Sequence, residues 1–555
     1  MNMKGAKIVV DCLIEQGVEY VFGYPGGTII DIFDELYKAK DKLTHILTAH
    51  EQGACHAADG YARVSGKAGV VLATSGPGAT NLVTGIANAY MDSIPLVAIT
   101  GNVPIALLGR DSFQEVDIAG VTMPITKHNF MVKSIADLAS TIREAFTIAQ
   151  SGRPGPVLVD IPKNIQQEMF EYVAQKPKAI TAPTFNKNQA LLDKAIELIK
   201  NAQRPILYIG GGIIHSNAAA ELLNFAENQD IPIASSMMAL GAVPFTHPLH
   251  LGMIGMHGRA GVAKAIKESD TIIALGSRFS DRVATNRLMF GAGKNIVHID
   301  IDLAEIDKNV TTTASIQGDA KAVLAHLKTV LKAQKRSSWV KICQDFKAAY
   351  PFKTVSSPLC PRQILEGIRK LTPDTQIIAT DVGQHQMWTA QSFGFVKPRT
   401  FVTSGGLGTM GFGMGAAMGA AFASKKTAIL ITGDGSFHMN LNEVATAVRY
   451  GVPLKIFIFN NKTLGMVRQW QSLFYERHHA GTNLSDLPTN FEKLAEAFGA
   501  KYVKLDNNAD IEKKLKPTFA DKNVTIIECS IVTDGYVLPM VPAGKSADEI
   551  IVEWE

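Results

Sequence analysis

The residues best suited to chemistry follow two apolar runs in the last third of the chain. Gly433-Asp434-Gly435 follows Ala428–Ile431, and Asn460-Asn461 follows Leu454–Phe459. Successive parallel strands point the same way, so both polar segments are expected at one sheet edge, where ligands bind in such folds. A carboxylate and an amide oxygen suit Mg²⁺, whose shell a phosphate completes. Gly-Asp-Gly alone would more often be an acidic turn, but the combination predicts a site for Mg²⁺ and a diphosphate.

The elements that position these residues are predicted from β-branched apolar runs that alternate with helical patterns. Strands that are apolar on both faces and separated by helices predict parallel sheets covered on both sides, which is an α/β fold. The predicted strands are Val70–Ala73, Leu96–Thr100, Val157–Ile161, Ile206–Ile209, Thr271–Leu275, Ile296–Ile301, Ile377–Thr380, Ala428–Ile431, Leu454–Phe459 and Thr525–Cys529. The spacing of the apolar residues from Ala6 to Ile14 predicts an amphipathic helix before the first of them.

Two proline-containing stretches predict linkers. Val173–Asn188 is rich in Lys, Pro and Thr and has no strand or helix periodicity, and Arg336–Pro361 mixes aromatic and basic residues. Proline there is typical of extended, semi-rigid connectors. The linkers divide the chain into three blocks of ordinary domain size. The predicted domains are 1–175, 189–335 and 360–555.

The composition favours a folded enzyme that acts on small molecules. The 555 residues carry a formal charge of +4, with 46% hydrophobic and 19% charged residues. Such a balance excludes a disordered chain and gives no electrostatic argument for nucleic acid or for a membrane surface. The longest weakly polar run, Met410–Ala423, is too short and too rich in glycine to span a membrane. Five scattered cysteines without a C-x-x-C pair predict the reducing cytoplasm.

The segment from Gly433 to Asn461 resembles the signature of thiamine-diphosphate (ThDP) enzymes, and the resemblance extends over essentially the whole chain. Four segments resemble the pyrimidine-binding domain of that superfamily: Tyr20–Gly27, Thr48–Gly53, Thr74–Asn81 and Ser151–Pro156. Four others resemble, more narrowly, the catalytic subunit of the acetohydroxyacid synthase (acetolactate synthase) family: Asp381–Trp388, Gly433–Phe437, Leu464–Trp470 and Val537–Pro542. The resemblance implies pyrimidine-binding, central FAD-type and diphosphate-binding domains, in that order.

The resemblance implies a definite reaction. Such enzymes decarboxylate pyruvate on ThDP and join the hydroxyethyl unit to pyruvate, giving 2-acetolactate, or to 2-oxobutyrate, giving 2-aceto-2-hydroxybutyrate, in branched-chain amino-acid biosynthesis. It also implies a homodimer or tetramer with active sites shared between subunits, and it leaves open a regulatory small subunit. The alternatives are a catabolic acetolactate synthase, a glyoxylate carboligase or a pyruvate oxidase and, from other classes, a flavin or nicotinamide oxidoreductase or a non-catalytic ThDP-binding module.

The resemblance also implies roles for individual residues. Glu51 would hydrogen-bond to the pyrimidine ring, although a lone glutamate at a helix start is more often a cap. The other residues with catalytic or substrate roles would be Gln114, Met410, Trp470 and Arg282. The metal ligands would be Asp434, Asn461 and Thr463. The remaining ThDP-binding residues would be Pro25, Gly26, Val382, Gly383, Gln384, His385, Gly408, Gly433, Gly435, Ser436 and Met466.

The middle block carries glycines and acids at consecutive strand ends, a pattern that suits a pyrophosphate and a ribose. By resemblance its ligand is FAD that takes no net part in the reaction. The FAD-binding residues would be Gly210, Gly211, Gly212, Met256, His257, Gly276, Arg278, Asp300, Ile301 and Asp319. The sequence departs from the family at Ser280 and Arg259-Ala260, which leaves the affinity for FAD open. A G-x-G-x-x-G match at Gly406–Gly411 is not assigned to a dinucleotide, because no β-branched run leads into it.

Overall fold

Three six-stranded sheets, one in each of three successive units, organise the chain. The computed structural model describes residues 2–181, 185, 188–352 and 357–553. Every strand pairing inside the three sheets is parallel, as predicted for an α/β fold. Each sheet lies inside one of the blocks 1–175, 189–335 and 360–555, and the boundaries themselves stay a prediction.

The N-terminal unit has the sheet order β3-β2-β4-β5-β7-β6 and a two-stranded antiparallel β1-β8 pair. Its strands are β1 Asn2–Lys4, β2 Tyr20–Tyr24, β3 Thr44–Leu47, β4 Gly69–Ala73, β5 Leu96–Asn102, β6 His128–Met131, β7 Pro156–Pro162 and β8 Met169–Glu171. Its helices are α1 Gly5–Glu15, α2 Ile30–Lys38, α3 Glu51–Ser65, α4 Pro77–Thr80, α5 Val83–Asp92, α6 Ile118–Thr122, α7 Ile135–Gln150 and α8 Lys163–Gln167, with 3₁₀ turns at Ile105–Leu107 and Met123–Ile125.

The middle unit has the sheet order β11-β10-β9-β12-β13-β14. Its strands are β9 Pro205–Ile209, β10 Ile233–Ser235, β11 His250–Met253, β12 Thr271–Leu275, β13 Asn295–Asp300 and β14 Ala314–Gln317. Its helices are α9 Gln189–Asn201, α10 Gly212–His215, α11 Ala219–Gln229, α12 Ala260–Glu268, α13 Arg287–Phe290, α14 Ala320–Val330 and α15 Ser337–Ala349, with 3₁₀ turns at Met237–Ala239 and Leu303–Glu305. The two faces of the sheet bury separate apolar clusters.

The C-terminal unit has the sheet order β16-β15-β17-β18-β20-β19. Its strands are β15 Ile377–Thr380, β16 Phe401–Val402, β17 Ala428–Gly433, β18 Leu454–Asn460, β19 Lys501–Leu505 and β20 Thr525–Ser530. Its helices are α16 Pro361–Leu371, α17 Gln384–Ser392, α18 Phe412–Ser424, α19 Asp434–Asn440, α20 Glu443–Arg449, α21 Gly465–Phe474, α22 Phe491–Phe498 and α23 Ile511–Ala520, with 3₁₀ turns at Asn508–Asp510 and Ala547–Glu549.

All ten apolar runs that the sequence marks as strands form strands. The predicted first helix is also present, as α1. The strands that the sequence analysis missed include the edge strands of every sheet, β3, β6, β11, β14, β16 and β19. An edge strand has only one neighbour and one covered flank, so its sequence lacks a continuous apolar run. Among inner strands, the missed ones are β2, interrupted by Gly23, and the three-residue β10.

The prediction of a linker over Arg336–Pro361 was wrong for much of that stretch. Ser337–Ala349 forms helix α15, which packs on the middle unit. Trp339 and Cys343 are buried on its inner side, and the Trp339 indole donates to the Pro205 carbonyl oxygen at 2.8 Å. Val340 and Phe346 also pack against the apolar clusters of the middle unit, so the helix is held by an amphipathic face. Residues 353–356 of that stretch, and 182–184 and 186–187 of the first linker, lie outside the described residues.

Helices α3 and α18 join the N-terminal and C-terminal units through an apolar cluster that both units share. Their backbones approach closely because glycines lie at the crossing. A Cβ added at Gly60 would lie 2.1 Å from the Ala416 carbonyl oxygen, and one added at Gly419 would lie 1.8 Å from that of Ala57. This crossing fixes how the two units face each other. Among the described residues, no helix has both the length and the apolarity required to cross a bilayer.

We predict that Gly419→Ala destabilises the chain by about 3 kcal/mol, at the upper end of overpacking effects, because the obstacle is backbone. Thermal and urea unfolding would measure the change. The control is Gly27→Ala, since a Cβ at Gly27 meets no atom within 4 Å. Equal unfolding midpoints for the two variants would contradict the close crossing.

Candidate active site

A cavity of about 960 Å³ opens where the carboxyl ends of the middle and C-terminal sheets face each other. Its wall also includes residues of the N-terminal unit, among them Asp92 and Arg153. The parallel register explains the gathering of polar groups there. Gly433 pairs with Phe459, so Asp434 and Asn461 leave adjacent strands at one edge. Ile209 pairs with Leu275, which brings Gly210 and Gly276 together in the same way.

The three residues predicted as metal ligands lie together in this cavity. Asp434 begins α19, and Asn461 and Thr463 follow β18. Burial raises the pKa of Asp434 to about 6, although backbone N–H groups lower it. The carboxylate makes no ion pair within the described part of the chain, so a divalent cation with oxygen ligands would supply its missing charge partner. The Thr463 hydroxyl donates to the Thr482 carbonyl oxygen at 2.6 Å, which fixes the turn.

The predicted diphosphate cradle surrounds the same corner. Helices α17 and α19 both begin there, and helix starts favour anions. The His385 ring fills the space beside two glycines, since a Cβ at Gly383 or Gly433 would lie 2.8 or 3.0 Å from it. Burial lowers the pKa of His385 to about 3, so its ring is neutral. Its Nε2 is buried without a hydrogen-bond partner among the described residues, which suits a ligand with acceptor oxygens.

The rest of the predicted C-terminal set also lines the cavity: Val382, Gln384, Gly408, Met410, Gly435, Ser436, Met466 and Trp470. Gln384 is fixed by bonds to the Gly535 carbonyl oxygen at 2.6 Å and to Gln469 Oε1 at 3.1 Å. Trp470 lies on α21 with its ring edge-on to Phe474, at a centroid distance of 5.4 Å. Trp470, Met410 and Met466 thus add apolar surface to the cavity that contains the polar corner.

The middle half of the cavity contains every residue predicted to bind FAD: Gly210, Gly211, Gly212, Met256, His257, Gly276, Arg278, Asp300, Ile301 and Asp319. The glycines are required by close packing, because a Cβ at Gly210 would lie 2.1 Å from the Gly276 carbonyl oxygen. Asp319 caps α14 by accepting from the Lys321 and Ala322 amides at 3.0 and 3.1 Å. Burial raises the pKa of Asp300 to about 6. Its carboxylate has more capacity to bind a ligand than that of Asp319.

The two departures from the family pattern are placed differently. Ser280 lines the cavity. Arg259 does not, and its guanidinium lies over the Phe352 ring at 4.4 Å. Arg282 lies at the cavity mouth with a largely exposed side chain, 3.8 Å from the Asp281 carboxylate and 3.5 Å from Met256 Sδ.

The predicted residues of the N-terminal unit form a second group, outside this cavity. Glu51 begins α3, where His50 Nδ1 caps the helix by accepting from the Gln52 amide at 3.1 Å. Glu51 Oε2 accepts from Asn81 Nδ2 at 2.9 Å.

The segment from Thr74 to Asn81 connects the members of this group. Gly26 packs on Thr74, Gly76 packs on Gln114, and Gly78 packs between Thr74 and Glu51. Pro25 precedes Gly26 at the exposed end of β2, and Phe113 beside Gln114 has 88% of its surface exposed. One chain thus forms two separate half-sites.

Several residues that position the site were missed by sequence reasoning. Glu443 is buried, and its carboxylate accepts from the Ala49 and His50 amides at 3.0–3.2 Å, which clamps the turn before Glu51. Arg153, inside the quoted Ser151–Pro156 motif, bridges to Asp302 and Glu305 of the middle unit at 3.1 and 2.7 Å. The Ser151–Pro156 motif was a sequence signal that could have identified Arg153, whereas no local sequence pattern distinguishes Glu443.

Comparisons with known proteins agree with this geometry. Sequence models of three families match successive parts of the chain: "Thiamine pyrophosphate enzyme, N-terminal TPP binding domain" at residues 3–121, "central domain" at 192–327 and "C-terminal TPP binding domain" at 381–529. An acetolactate synthase large subunit of Haemophilus influenzae is 42% identical over 99% of this chain and 98% of its own length.

Two further relatives give the same result. The acetolactate synthase isozyme 1 large subunit of Escherichia coli K12 is 43% identical over 99% of this chain and 98% of its own length. A probable acetolactate synthase large subunit of Methanocaldococcus jannaschii is 44% identical over 99% and 95%. The predicted resemblance is confirmed, and the chain belongs to the family of acetolactate synthase large subunits within the thiamine pyrophosphate enzymes.

Proposed function

We propose that this chain catalyses the acetolactate synthase reaction, in which pyruvate is decarboxylated and its two-carbon unit is joined to a second 2-oxoacid. The products would be 2-acetolactate from pyruvate and 2-aceto-2-hydroxybutyrate from 2-oxobutyrate. The observation that carries the proposal is the buried corner formed by Asp434, Asn461 and His385. It occurs in a chain that matches acetolactate synthase large subunits over 99% of its length.

The proposed cofactors are ThDP and Mg²⁺. Asp434 and Asn461 would hold the metal together with Thr463, and the glycines beside His385 would admit the diphosphate. ThDP, when bound, supplies a nucleophilic carbon and an electron sink. The Glu51 carboxyl group would hold a proton at the pyrimidine nitrogen, an acid–base role that needs direct hydrogen-bond contact.

The other residues would position the substrates. Met410 and Gly408 would support the cofactor from the apolar side of the cavity, and Trp470 would form the wall against which the second 2-oxoacid packs. The Arg282 guanidinium at the mouth suits that substrate's carboxylate, which it can bind through two hydrogen bonds. Gln114 would provide a polar contact from the other half-site.

A shared active site follows from the proposed function. Glu51 and Asp434 belong to different half-sites of one chain, so a complete site would combine the N-terminal half-site of one subunit with the cavity of another. A symmetric homodimer would form two such sites at once, and pairs of dimers would give a tetramer. The name "large subunit" of the relatives supports a regulatory small subunit as a further partner.

We also propose FAD as a bound ligand without a redox role. The cavity of about 960 Å³ continues from the ThDP corner into the middle unit. There, paired glycine turns and Asp300 suit a pyrophosphate and a ribose. The pathway would be branched-chain amino-acid biosynthesis. The proposed location is the cytoplasm, and the five cysteines are buried free thiols.

The proposal is tested by a pyruvate assay with ThDP and Mg²⁺, with and without FAD, scored for acetolactate and CO₂. Acetolactate formation without an electron acceptor supports it. Oxygen consumption in proportion to pyruvate would indicate a pyruvate oxidase instead, and ligation of glyoxylate alone would indicate a glyoxylate carboligase. Full activity in a colourless protein without flavin would favour the catabolic acetolactate synthase.

We predict that Glu51→Gln lowers turnover by at least about 100-fold, within the range of acid–base contributions, and that Asp434→Ala lowers it comparably because it removes a metal ligand. Mixed and reassembled, the two variants should recover about a quarter of the wild-type activity, because half of randomly mixed dimers carry one complete site of two. The control mixes Glu51→Gln with Gln114→Ala, which damage the same half-site and leave no complete site. Recovery in both mixtures, or in neither, would contradict the shared site.

We predict that Asp434→Ala raises the Mg²⁺ concentration needed for half-maximal ThDP binding by at least about tenfold, since even indirect partners of metal sites alter affinity about 10–100-fold. Quenching of tryptophan fluorescence during ThDP titration at fixed Mg²⁺ levels would measure it. Asp486→Ala, in the exposed segment between α21 and α22, is the control. An unchanged Mg²⁺ requirement would remove Asp434 from the metal site.

We predict that Trp470→Leu lowers the preference for 2-oxobutyrate over pyruvate by about tenfold or more. The two substrates differ by one methylene group, and an apolar pocket discriminates one methylene by about 10–200-fold. The ratio of the two products in a competition assay measures it. Tyr475→Leu, at the exposed residue directly after the same helix, should keep the ratio, and an unchanged ratio in Trp470→Leu would refute the assignment.

A further inference from the structure

Thr403–Gly411, here called the glycine loop, connects β16 to α18 and carries Gly408 and Met410 at the cavity. Between its two ends, the loop backbone forms no strand or helix hydrogen bonds that would hold it in place. Its position therefore depends on groups outside the loop. Those groups come from α3 and α5 of the N-terminal unit and, within the C-terminal unit, from Gln386 and Asn440.

Asp92, the last residue of α5, contacts the loop backbone directly. Its Oδ1 accepts from the Gly406 amide at 2.7 Å, and its Oδ2 accepts from the Gly405 amide at 3.0 Å. The side chain is buried. Hydrogen bonds from N–H groups to an ionised carboxylate are stronger than those between neutral groups. Asp92 thus holds two successive amides of the loop at once.

Arg63 holds Asp92 in place. Its Nη2 donates to Asp92 Oδ2 at 2.8 Å, and its Nη1 donates to the Thr403 carbonyl oxygen at the start of the loop, also at 2.8 Å. Asp59, one turn earlier on α3, pairs with the same guanidinium. Burial alone would lower the pKa of Arg63, but the two carboxylates raise it. The guanidinium stays charged and links α3 to the loop.

Asn88 adds a second tether one turn before Asp92. Its Nδ2 donates to Asp59 Oδ2 at 2.9 Å, and its Oδ1 accepts from the Ser404 hydroxyl at 2.5 Å. The Ser404 Oγ in turn accepts from the Thr409 amide at 2.9 Å, which closes the loop next to Met410. Both ends of the glycine loop are therefore attached to one buried polar network.

Glycine at positions 405 and 406 lets the loop backbone pack closely against its neighbours. A Cβ at Gly405 would lie 2.2 Å from Met238 Sδ of the middle unit, and one at Gly406 would lie 2.9 Å from the Met91 carbonyl oxygen. The loop backbone lies between the N-terminal and middle units, with its Gly405 and Gly406 amides bonded to Asp92. Loss of Asp92 would remove a charge partner from the buried Arg63 and two acceptor oxygens from the loop amides. Both changes are costly in a buried site.

We propose that Asp92 is a positioning residue: by binding the Gly405 and Gly406 amides, it fixes the glycine loop and hence the place of Met410 in the cavity. Only the expected effect on catalysis rests on the proposed function; the role of Asp92 in fixing the loop does not. Active sites require positions held to within a fraction of an ångström, and a shift of about 1 Å can cost about 100-fold in rate. In this role Asp92 acts through the loop backbone and not on the reacting atoms.

The experiment compares Asp92→Asn with the wild-type chain, first without cofactors. Hydrogen exchange at the Gly405 and Gly406 amides should be slow in the wild type and about 10–100-fold faster in the variant, the range expected for hydrogen bonds to a charged group. In the assay, kcat for acetolactate should fall about 100-fold while the KM for pyruvate stays nearly constant. Unchanged exchange, or equal losses in kcat and folded fraction, would overturn the proposal.

Asp59→Asn is the matched control, because it takes a carboxylate from the same arginine but leaves both loop amides bonded to Asp92. It should lower the unfolding temperature comparably while keeping those two amides protected. If Asp92→Asn does not fold, Ser404→Ala replaces it, with faster exchange expected at the Thr409 amide and a loss confined to kcat. An inactive wild type would refute the proposed function, whereas the exchange measurement would still decide the role of Asp92.

Discussion

Strands of a parallel sheet end together, and this constraint creates the site. With Gly433 opposite Phe459, the first residues beyond β17 and β18 become neighbours although an entire helical connection separates them in sequence. The same geometry brings the glycine turns of the middle sheet together. Polar groups are therefore concentrated on one rim of each sheet, and the two rims enclose a common cavity. Helices and strand interiors serve mainly to keep those rims in place.

Buried ionic groups connect the units around that cavity. Glu443 of the C-terminal unit holds the turn before Glu51, and Arg153 of the N-terminal unit reaches Glu305 of the middle unit. Each is buried or partly buried and bonded to charged or backbone partners, which is the condition under which such groups are tolerated. Apolar burial stabilises each unit separately, whereas these directional contacts specify how one unit is placed against the next.

The sequence predicts the fold class, every buried central run of the C-terminal sheet and many of the cavity residues that follow a strand, such as Asp434 and Asn461. These features depend on local composition, since a strand covered on both faces must be apolar and its end must carry the ligand-binding groups. The sequence does not predict the edge strands, the helix at Ser337–Ala349 or the roles of Asp92 and Glu443. Their structure is decided by partners distant in the chain, such as Pro205 for Trp339. The separation of Glu51 from Asp434 is also a property of packing, which the family resemblance implied but the local sequence did not.

Residues of all three units form the cavity wall. This limits which parts of the protein can be exchanged by engineering or during evolution. A unit transplanted from a relative would bring a new stretch of wall, and it would also bring foreign partners for the buried charges that cross its border. Recombination between relatives should therefore succeed when breakpoints keep α3, α5 and the glycine loop together. The outward-facing helices can vary without this restriction, so sequence drift is expected to accumulate on the periphery.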